Sequence, residues 1–357
     1  MPALKIFVTD ASGFIGQALI MKMLECGHHV IAAHSPFSSI DRPDVSSVCN
    51  RENVLDVPLD LSNCSELFPH IVGCDCVVHL GHNPHDPLQE QFGFALDSTQ
   101  TLLKVCAEAR VKKFVCISST AVYGDPPPSI AIAEESPYLS SLRPQTSIYQ
   151  SVEKLVLGIE TGGTEVVVLQ LGRVYGPGAR GETARMLNHM KTAFIPLARS
   201  GTGYCNPIYI DDAAMAIIRA CEISDLHGQR FIISLDRPVS WRELLTGYES
   251  ILGEKALITL PIDYQCEWQD SIPFFRELVS TMLQKRKIRE GTSAIAKAVW
   301  GKPIYYPSPD EFRTLVARPI FSNQKSRDRL NFEPQVSLAT GMEKIREWWH
   351  QNRPEMG

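Results

Sequence analysis

Apolar residues fall in short continuous runs separated by segments with helical spacing. Lys5 to Thr9, His29 to Ala33, Val54 to Leu61, Cys74 to Leu80, Lys113 to Ser118 and Glu165 to Leu171 read as six strands. Continuous runs, rather than alternating ones, are what a sheet covered on both faces requires. Phe14 to Cys26 carries apolar residues at helical intervals, and Gly27 supplies a stop; Ala95 to Ala109 reads as a second helix. Strand-helix-strand order predicts an α/β fold with a parallel, doubly wound, Rossmann-like sheet. After Gly178 the pattern loosens. Pro207 to Ile210, Asp212 to Cys221, Phe231 to Ser234 and Trp241 to Leu252 are further strand and helix pieces. Asp263 to Pro307 is helical and aromatic in character, and its charged run Gln284 to Glu290 reads as a solvated helix face. This organisation predicts a dinucleotide-binding domain over 1–178. A smaller, mainly substrate-binding region follows over 179–357, with 207–235 returning to the main domain.

The chemistry at the start of the chain sharpens that picture. The first strand runs into Thr9-Asp10-Ala11-Ser12-Gly13-Phe14-Ile15-Gly16. A turn that opens a helix offers N–H groups and a positive dipole end to a pyrophosphate, and glycines let the ligand approach the backbone. Asp10, Gly13, Phe14, Ile15 and Gly16 are therefore the candidate phosphate turn. A glycine is expected where Asp10 stands. Its carboxylate at ~5 Å from a pyrophosphate would cost about 3 kcal/mol at an effective dielectric of 20. Alternatively Asp10 turns outward, caps a backbone N–H and tolerates a left-handed conformation. The ribose is read at the end of the second strand, by an acid for NAD or an arginine for NADP. That end is Ala33-His34-Ser35, so neither cofactor is selected; Ser38, Ser39 and Arg42 follow, and Asp60 and Leu61 after the third strand are placed to meet the adenine.

Composition narrows the class. The chain has 357 residues, 44% hydrophobic and 21% charged, with a net charge of -5. These values suit a large globular core and offer no basic excess for nucleic-acid phosphates. Its 10 cysteines include no C-x-x-C pair, so buried thiols in a reducing compartment are expected and a metal site is not. No signal peptide, membrane span or lipidation pattern is present, which points to the cytoplasm.

Five collinear segments identify a resemblance. Phe114 to Gly124 (FVCISSTAVYG), Gly172 to Gly178 (GRVYGPG), Asp75 to Gly81 (DCVVHLG), Ile208 to Ala214 (IYIDDAA) and Leu330 to Leu338 (LNFEPQVSL) resemble motifs of extended short-chain dehydrogenase/reductases, the NAD-dependent epimerase/dehydratase type. The resemblance implies an enzyme that moves hydride between NAD or NADP and a hydroxyl or carbonyl, with Leu80 and Gly81 on the cofactor wall. It makes Ser119 the serine that hydrogen-bonds the substrate oxygen and Tyr149 the general acid or base. A phenol of pKa ~10 needs a nearby cation for base work near neutrality. Taken alone, Tyr149 would read as a packing tyrosine.

The chain departs from that pattern at several positions. Glu153 stands where the family has a lysine four residues after the tyrosine, and a carboxylate there favours the neutral phenol. Lys154 is rotated about 100° around a regular helix and reaches the site only through a helical bulge. Ala95 replaces an asparagine, and Cys205, followed by Asn206, replaces the arginine that clamps nucleotide sugars. The stretch from Lys302 to Ser326 resembles the hydroxysteroid-dehydrogenase-like branch. Trp268, Phe274, Phe275 and Trp300 read either as core or as walls of an apolar pocket, which inclines the substrate toward a small lipophilic molecule. Three functions stay open: an NAD(P)-dependent oxidoreductase or epimerase; a non-redox isomerase, cyclase or lyase using Tyr149, Ser119 and Glu153 with the dinucleotide absent or structural; and a binding protein without catalysis. The resemblance also carries the expectation of a homodimer through the tyrosine helix.

Overall fold

The computed structural model describes residues 2–34, 52–81, 88–140, 143–258, 301–305 and 309–352. They divide into two compact units, Met1–Tyr175 with Asn206–Pro238 and Pro319–Ser337, and Gly176–Cys205 with Val239–Arg318 and Leu338–Gly357. Residues 319–337 thus belong with the first unit although they follow most of the second. Ser35, Ser38, Ser39, Arg42, Trp268, Phe274, Phe275, Trp300 and the run Gln284 to Glu290 lie outside the described residues. No described helix is long and apolar enough to cross a membrane.

The first unit is built on a parallel seven-stranded sheet. Its strands are β1 (Lys5–Val8), β2 (His29–His34), β3 (Val54–Pro58), β4 (Cys76–His79), β5 (Lys113–Ser119), β6 (Glu165–Leu171) and β7 (Gln229–Ile233). Their spatial order is β3-β2-β1-β4-β5-β6-β7, the Rossmann arrangement extended by one strand. Helices α1 (Phe14–Glu25), α2 (Cys64–Ile71), α3 (Leu88–Glu108), α4 (Pro144–Gly158) and α5 (Ile210–Glu222) cover it. Strand alternation sends neighbouring residues to opposite faces. Ile6 and Val8 join Leu19, Ile20 and Met23 of α1 and Ile217 of α5. Phe7 between them joins Leu67 of α2, Leu102 of α3 and Ile148, Val152 and Val156 of α4. Two-sided burial explains the unbroken apolar runs in the sequence.

Helix α1 ends as Gly27 suggested: its φ is 80°, and His28 N–H closes on Met23 C=O at 3.0 Å. Helix α3 begins at Leu88, before the predicted Ala95, and Leu88 and Phe92 continue the helical spacing of Leu96 toward the N-terminus. Short parallel pairs extend the unit: Arg173–Tyr175 with Pro207–Tyr209, and Ala131–Ile132 with Ile320–Phe321. The second pair, the burial of Leu330 and Phe332 in the sheet core and the bonds of Asn323 to Ser234 and Leu235 tie 319–337 to this unit.

The second unit packs the helix Trp241–Leu252 against Arg185–Thr192 and Leu338–Gln351. A reciprocal capping box between Ser240 and Glu243 starts Trp241–Leu252, and Gly253 in the left-handed conformation ends it. Gly247 lets Met342 come close, since a Cβ there would lie 2.8 Å from Met342 Cγ.

Candidate active site

The β1–α1 turn carries the first group of candidate residues. Asp10 adopts φ 47°, left-handed, and its C=O accepts from Gly13 N–H at 2.9 Å. Gly16 has no room for a side chain: a Cβ would lie 2.4 Å from Asp10 O and 2.7 Å from Ala11 O. That close approach lets α1 pack onto β1. The Asp10 carboxylate is not turned outward. A Cβ on Gly13 would lie 2.4 Å from Asp10 Oδ2, so the carboxylate covers the face that Gly13 leaves bare. Phe14 and Ile15 form the first turn of α1, half-buried, with Ile15 packed on the core.

At the end of β2, His34 Nε2 lies 3.4 Å from Asp56 Oδ2 on β3. The sequence did not single out Asp56, whose proximity follows from the β2–β3 register. Asp60 is turned onto its own chain, accepting from Ser62 N–H at 2.9 Å and Ser62 Oγ at 2.7 Å, and Leu61 is buried in the core. Leu80 N–H donates to Thr9 Oγ1 at 3.1 Å, and Gly81 follows at φ 93°. Behind them, His79 is buried between Thr9 Oγ1 at 3.0 Å and Thr99 Oγ1 at 3.1 Å. Thr99 donates to Ala95 C=O at 2.6 Å, so it accepts from His79 Nε2–H and leaves Nδ1 to accept from Thr9. Ala95, at the family's asparagine position, is buried and offers the backbone only.

Ser119 ends β5. Its Oγ accepts from Ala121 N–H at 3.2 Å and so caps the 3-10 turn Thr120–Tyr123. Tyr149 lies on α4 and packs on the cluster of Val122, Tyr123, Ile132, Ile232 and Phe321. Burial raises its phenol above the ordinary tyrosine value. Gln150 pins the helix to the turn, donating at 2.8 Å to Val122 C=O and at 2.8 Å to Leu139 C=O.

Glu153 is fully buried, with 0% exposure. Its carboxylate accepts from Ser118 on β5, from Tyr138 before α4, and from Gln170 Nε2 on β6 at 3.1 and 2.9 Å. Ser118 and Gln170 are paired neighbours on adjacent strands, so both aim at one point of α4. Gln170 Oε1 accepts in turn from Tyr123 OH at 2.6 Å. The Arg230 guanidinium of β7 lies over the Tyr138 ring at 5.3 Å. Burial raises the Glu153 carboxyl, while its hydrogen-bond donors and Arg230 act in the opposite direction. The carboxylate is thus anchored to the sheet. Lys154 is exposed, and α4 is α-helical throughout, without the bulge that would swing it inward. Sequence reasoning missed Ser118, Tyr138, Gln170 and Arg230. The available signal was a lone glutamine in the apolar strand Glu165–Leu171, because a buried amide requires partners.

In the second unit Cys205 is buried and donates to Val239 C=O at 3.3 Å. A thiol packed on a backbone carbonyl offers no phosphate clamp. Among the described residues, no group of three or more His, Cys, Asp or Glu side chains is arranged to hold a metal ion.

Residues 6–234 match the sequence profile of the NAD dependent epimerase/dehydratase family. The chain belongs to that family. Relatives within reach of sequence comparison include the 2-alkyl-3-oxoalkanoate reductase of Stenotrophomonas maltophilia, 24% identical over 70% of this chain and 76% of the relative. The 3-diazoavenalumate denitrifying reductase of a Streptomyces species is 27% identical over 72% and 84%. Among solved structures, the dTDP-glucose 4,6-dehydratase DesIV of Streptomyces venezuelae, with NAD and TYD bound, superposes at a TM-score of 0.74. It is 19% identical, covering 99% of this chain and 98% of that one, and it shows the shared fold. As a member of the NAD-dependent epimerase/dehydratase family, the chain carries the dinucleotide turn in its backbone: the strand-to-helix geometry, Gly13 and Gly16 all suit a pyrophosphate. One side chain there does not suit it, Asp10 over Gly13; elsewhere, Glu153 stands at the family's lysine position.

Proposed function

We propose that this family member reduces a carbonyl of a small, lipophilic substrate, with NAD as its dinucleotide. The observation that carries the reading is the state of Tyr149. The position that holds a cation in the family is filled by Glu153, which is tied into the sheet, so nothing there lowers the Tyr149 phenol from its ordinary value of ~10, and burial shifts it upward. A neutral phenol is a proton donor. It suits protonation of a carbonyl oxygen during reduction better than deprotonation of an alcohol. Bound at the β1–α1 turn, the dinucleotide supplies the hydride. The chain's own residues do the rest: Ser119 orients the carbonyl oxygen, and Tyr149 delivers the proton to it. Gly13, Phe14, Ile15 and Gly16 would receive the pyrophosphate, with Leu80 and Gly81 along the cofactor wall. Asp56 beside His34 supports NAD over NADP, because a 2′-phosphate there would meet a carboxylate. Similarity to two reductases supports the reductive direction, and similarity to the 2-alkyl-3-oxoalkanoate reductase supports a lipophilic carbonyl substrate.

The test is calorimetric titration with NADH and NADPH, followed by turnover on a panel of 3-oxoalkanoates. NADH is expected to bind more tightly than NADPH. Tyr149→Phe is expected to lower kcat by about 10²-fold or more at unchanged NADH affinity. Full turnover by the variant removes Tyr149 from the mechanism. Asp10 and Glu153 together favour a second reading, non-redox isomerase, cyclase or lyase chemistry at Tyr149 and Ser119. Failure of both dinucleotides to bind would select it.

A further inference from the structure

We infer that Asp10 is a built-in competitor for the pyrophosphate of the dinucleotide. The inference rests on the reading that the β1–α1 turn takes that ligand. In a turn of this kind the middle glycine lacks a Cβ so that the pyrophosphate can approach the backbone. Here that glycine is Gly13, and the space beside it holds Asp10 Oδ2, 2.4 Å from where a Cβ would sit. The obstacle is a side chain rather than backbone, so rotation about the Asp10 Cα–Cβ bond removes it. The same place lies at the N-terminus of α1, where the helix dipole favours negative charge. The chain therefore brings its own anion to the seat that a ligand anion needs. Three features act together at this one residue. The backbone of Asp10 holds a left-handed φ of 47°. The carboxylate covers Gly13. The Asp10 carbonyl is held by Gly13 N–H and crowded by Gly16, so the backbone cannot relieve the contact. A dinucleotide binds only after Asp10 leaves, and its affinity falls by the fraction of molecules in which the side chain is turned away.

The experiment titrates wild type, Asp10→Gly and Asp10→Asn with ADP-ribose and with NADH by calorimetry, after thermal melts confirm that each variant is folded. ADP-ribose has the pyrophosphate without the nicotinamide, so it reads the turn alone. Asp10→Gly is expected to bind ADP-ribose at least about tenfold more tightly than wild type, with Asp10→Asn in between because it keeps the bulk and loses the charge. Equal or weaker ADP-ribose binding by both folded variants overturns the inference, as does no binding by any of the three proteins. Tighter ADP-ribose binding without NADH binding leaves Asp10 as the competitor and sinks the nicotinamide reading instead.

Discussion

Restoring the family's lysine, Glu153→Lys, separates a lost catalytic residue from a replaced structural one. The buried carboxylate is surrounded by donors: Ser118, Tyr138 and the Gln170 amide. An ammonium in its place meets groups that all donate in the native arrangement. The two hydroxyls can reverse to accept, but the Gln170 amide must flip to present its oxygen, which also reverses the 2.6 Å hydrogen bond it now accepts from Tyr123. A buried donor left unpaired costs about 1–3 kcal/mol, and a buried charge stripped of its partners about 3–5 kcal/mol. With Arg230 nearby adding repulsion, we expect a loss of about 4 kcal/mol. At ~2–4 °C per kcal/mol for a unit of this size, the melting temperature should fall by roughly 10 °C. The assay is thermal and urea unfolding followed by circular dichroism. A second arm transposes the carboxylate, Glu153→Gln with Gln170→Glu. In that arrangement Gln at 153 still accepts from Ser118 and Tyr138 and donates to Glu at 170, which accepts from Tyr123. The double variant should recover most of what each single variant loses, with a coupling of at least ~1 kcal/mol. A Glu153→Lys protein that melts with wild type and gains dinucleotide affinity or turnover would refute this account.

Two further outcomes follow from the same geometry. Gly16→Ala places a Cβ 2.4 Å from Asp10 O and 2.7 Å from Ala11 O, so the first turn of α1 must lift from the β1–α1 turn; a loss of about 2–3 kcal/mol is expected in urea unfolding, and a midpoint equal to wild type would contradict the packing argument. Asp75 accepts from Lys112 at 2.8 Å and from Lys5 N–H at 3.0 Å, and these bonds, Lys112 first, hold its carboxyl below the usual value. Its contribution is therefore present above the unfolded carboxyl pKa of ~3.9 and lost as pH falls through the lower folded one. Because Lys112 is exposed, Asp75→Asn should cost less than ~1 kcal/mol at pH 7 and nothing near pH 2, and a pH-independent difference would rule out the linkage.

Much of the fold was legible in local pattern. The runs around Phe7, Val77 and Val115 declared strands buried on both faces, and the sheet places helices on both. Gly13, Gly16 and Gly27 marked the turn and the helix end because glycine is favoured where backbone or left-handed geometry leaves little room for a side chain, most strictly at Gly16. The departure at position 153 was also readable, but the rise of the Tyr149 phenol comes from burial rather than from that carboxylate. The partners of Glu153 were not readable. Ser118, Tyr138, Gln170 and Arg230 lie on separate strands and a loop, and only the β5–β6 pairing and the seat of α4 bring them to one carboxylate.

Sequence by itself determined the burial pattern of the strands, the glycines of the β1–α1 turn and the membership of the chain in its family. These depend on periodicity and on residues close along the chain. Tertiary structure decided the rest: that Asp10 lies inward over Gly13, that Lys154 is left on the surface, and that 319–337 return to the first unit. Each is a question of which groups meet in space. A buried polar group is satisfied by whatever packing delivers, and periodicity records that a position is buried without recording its partner.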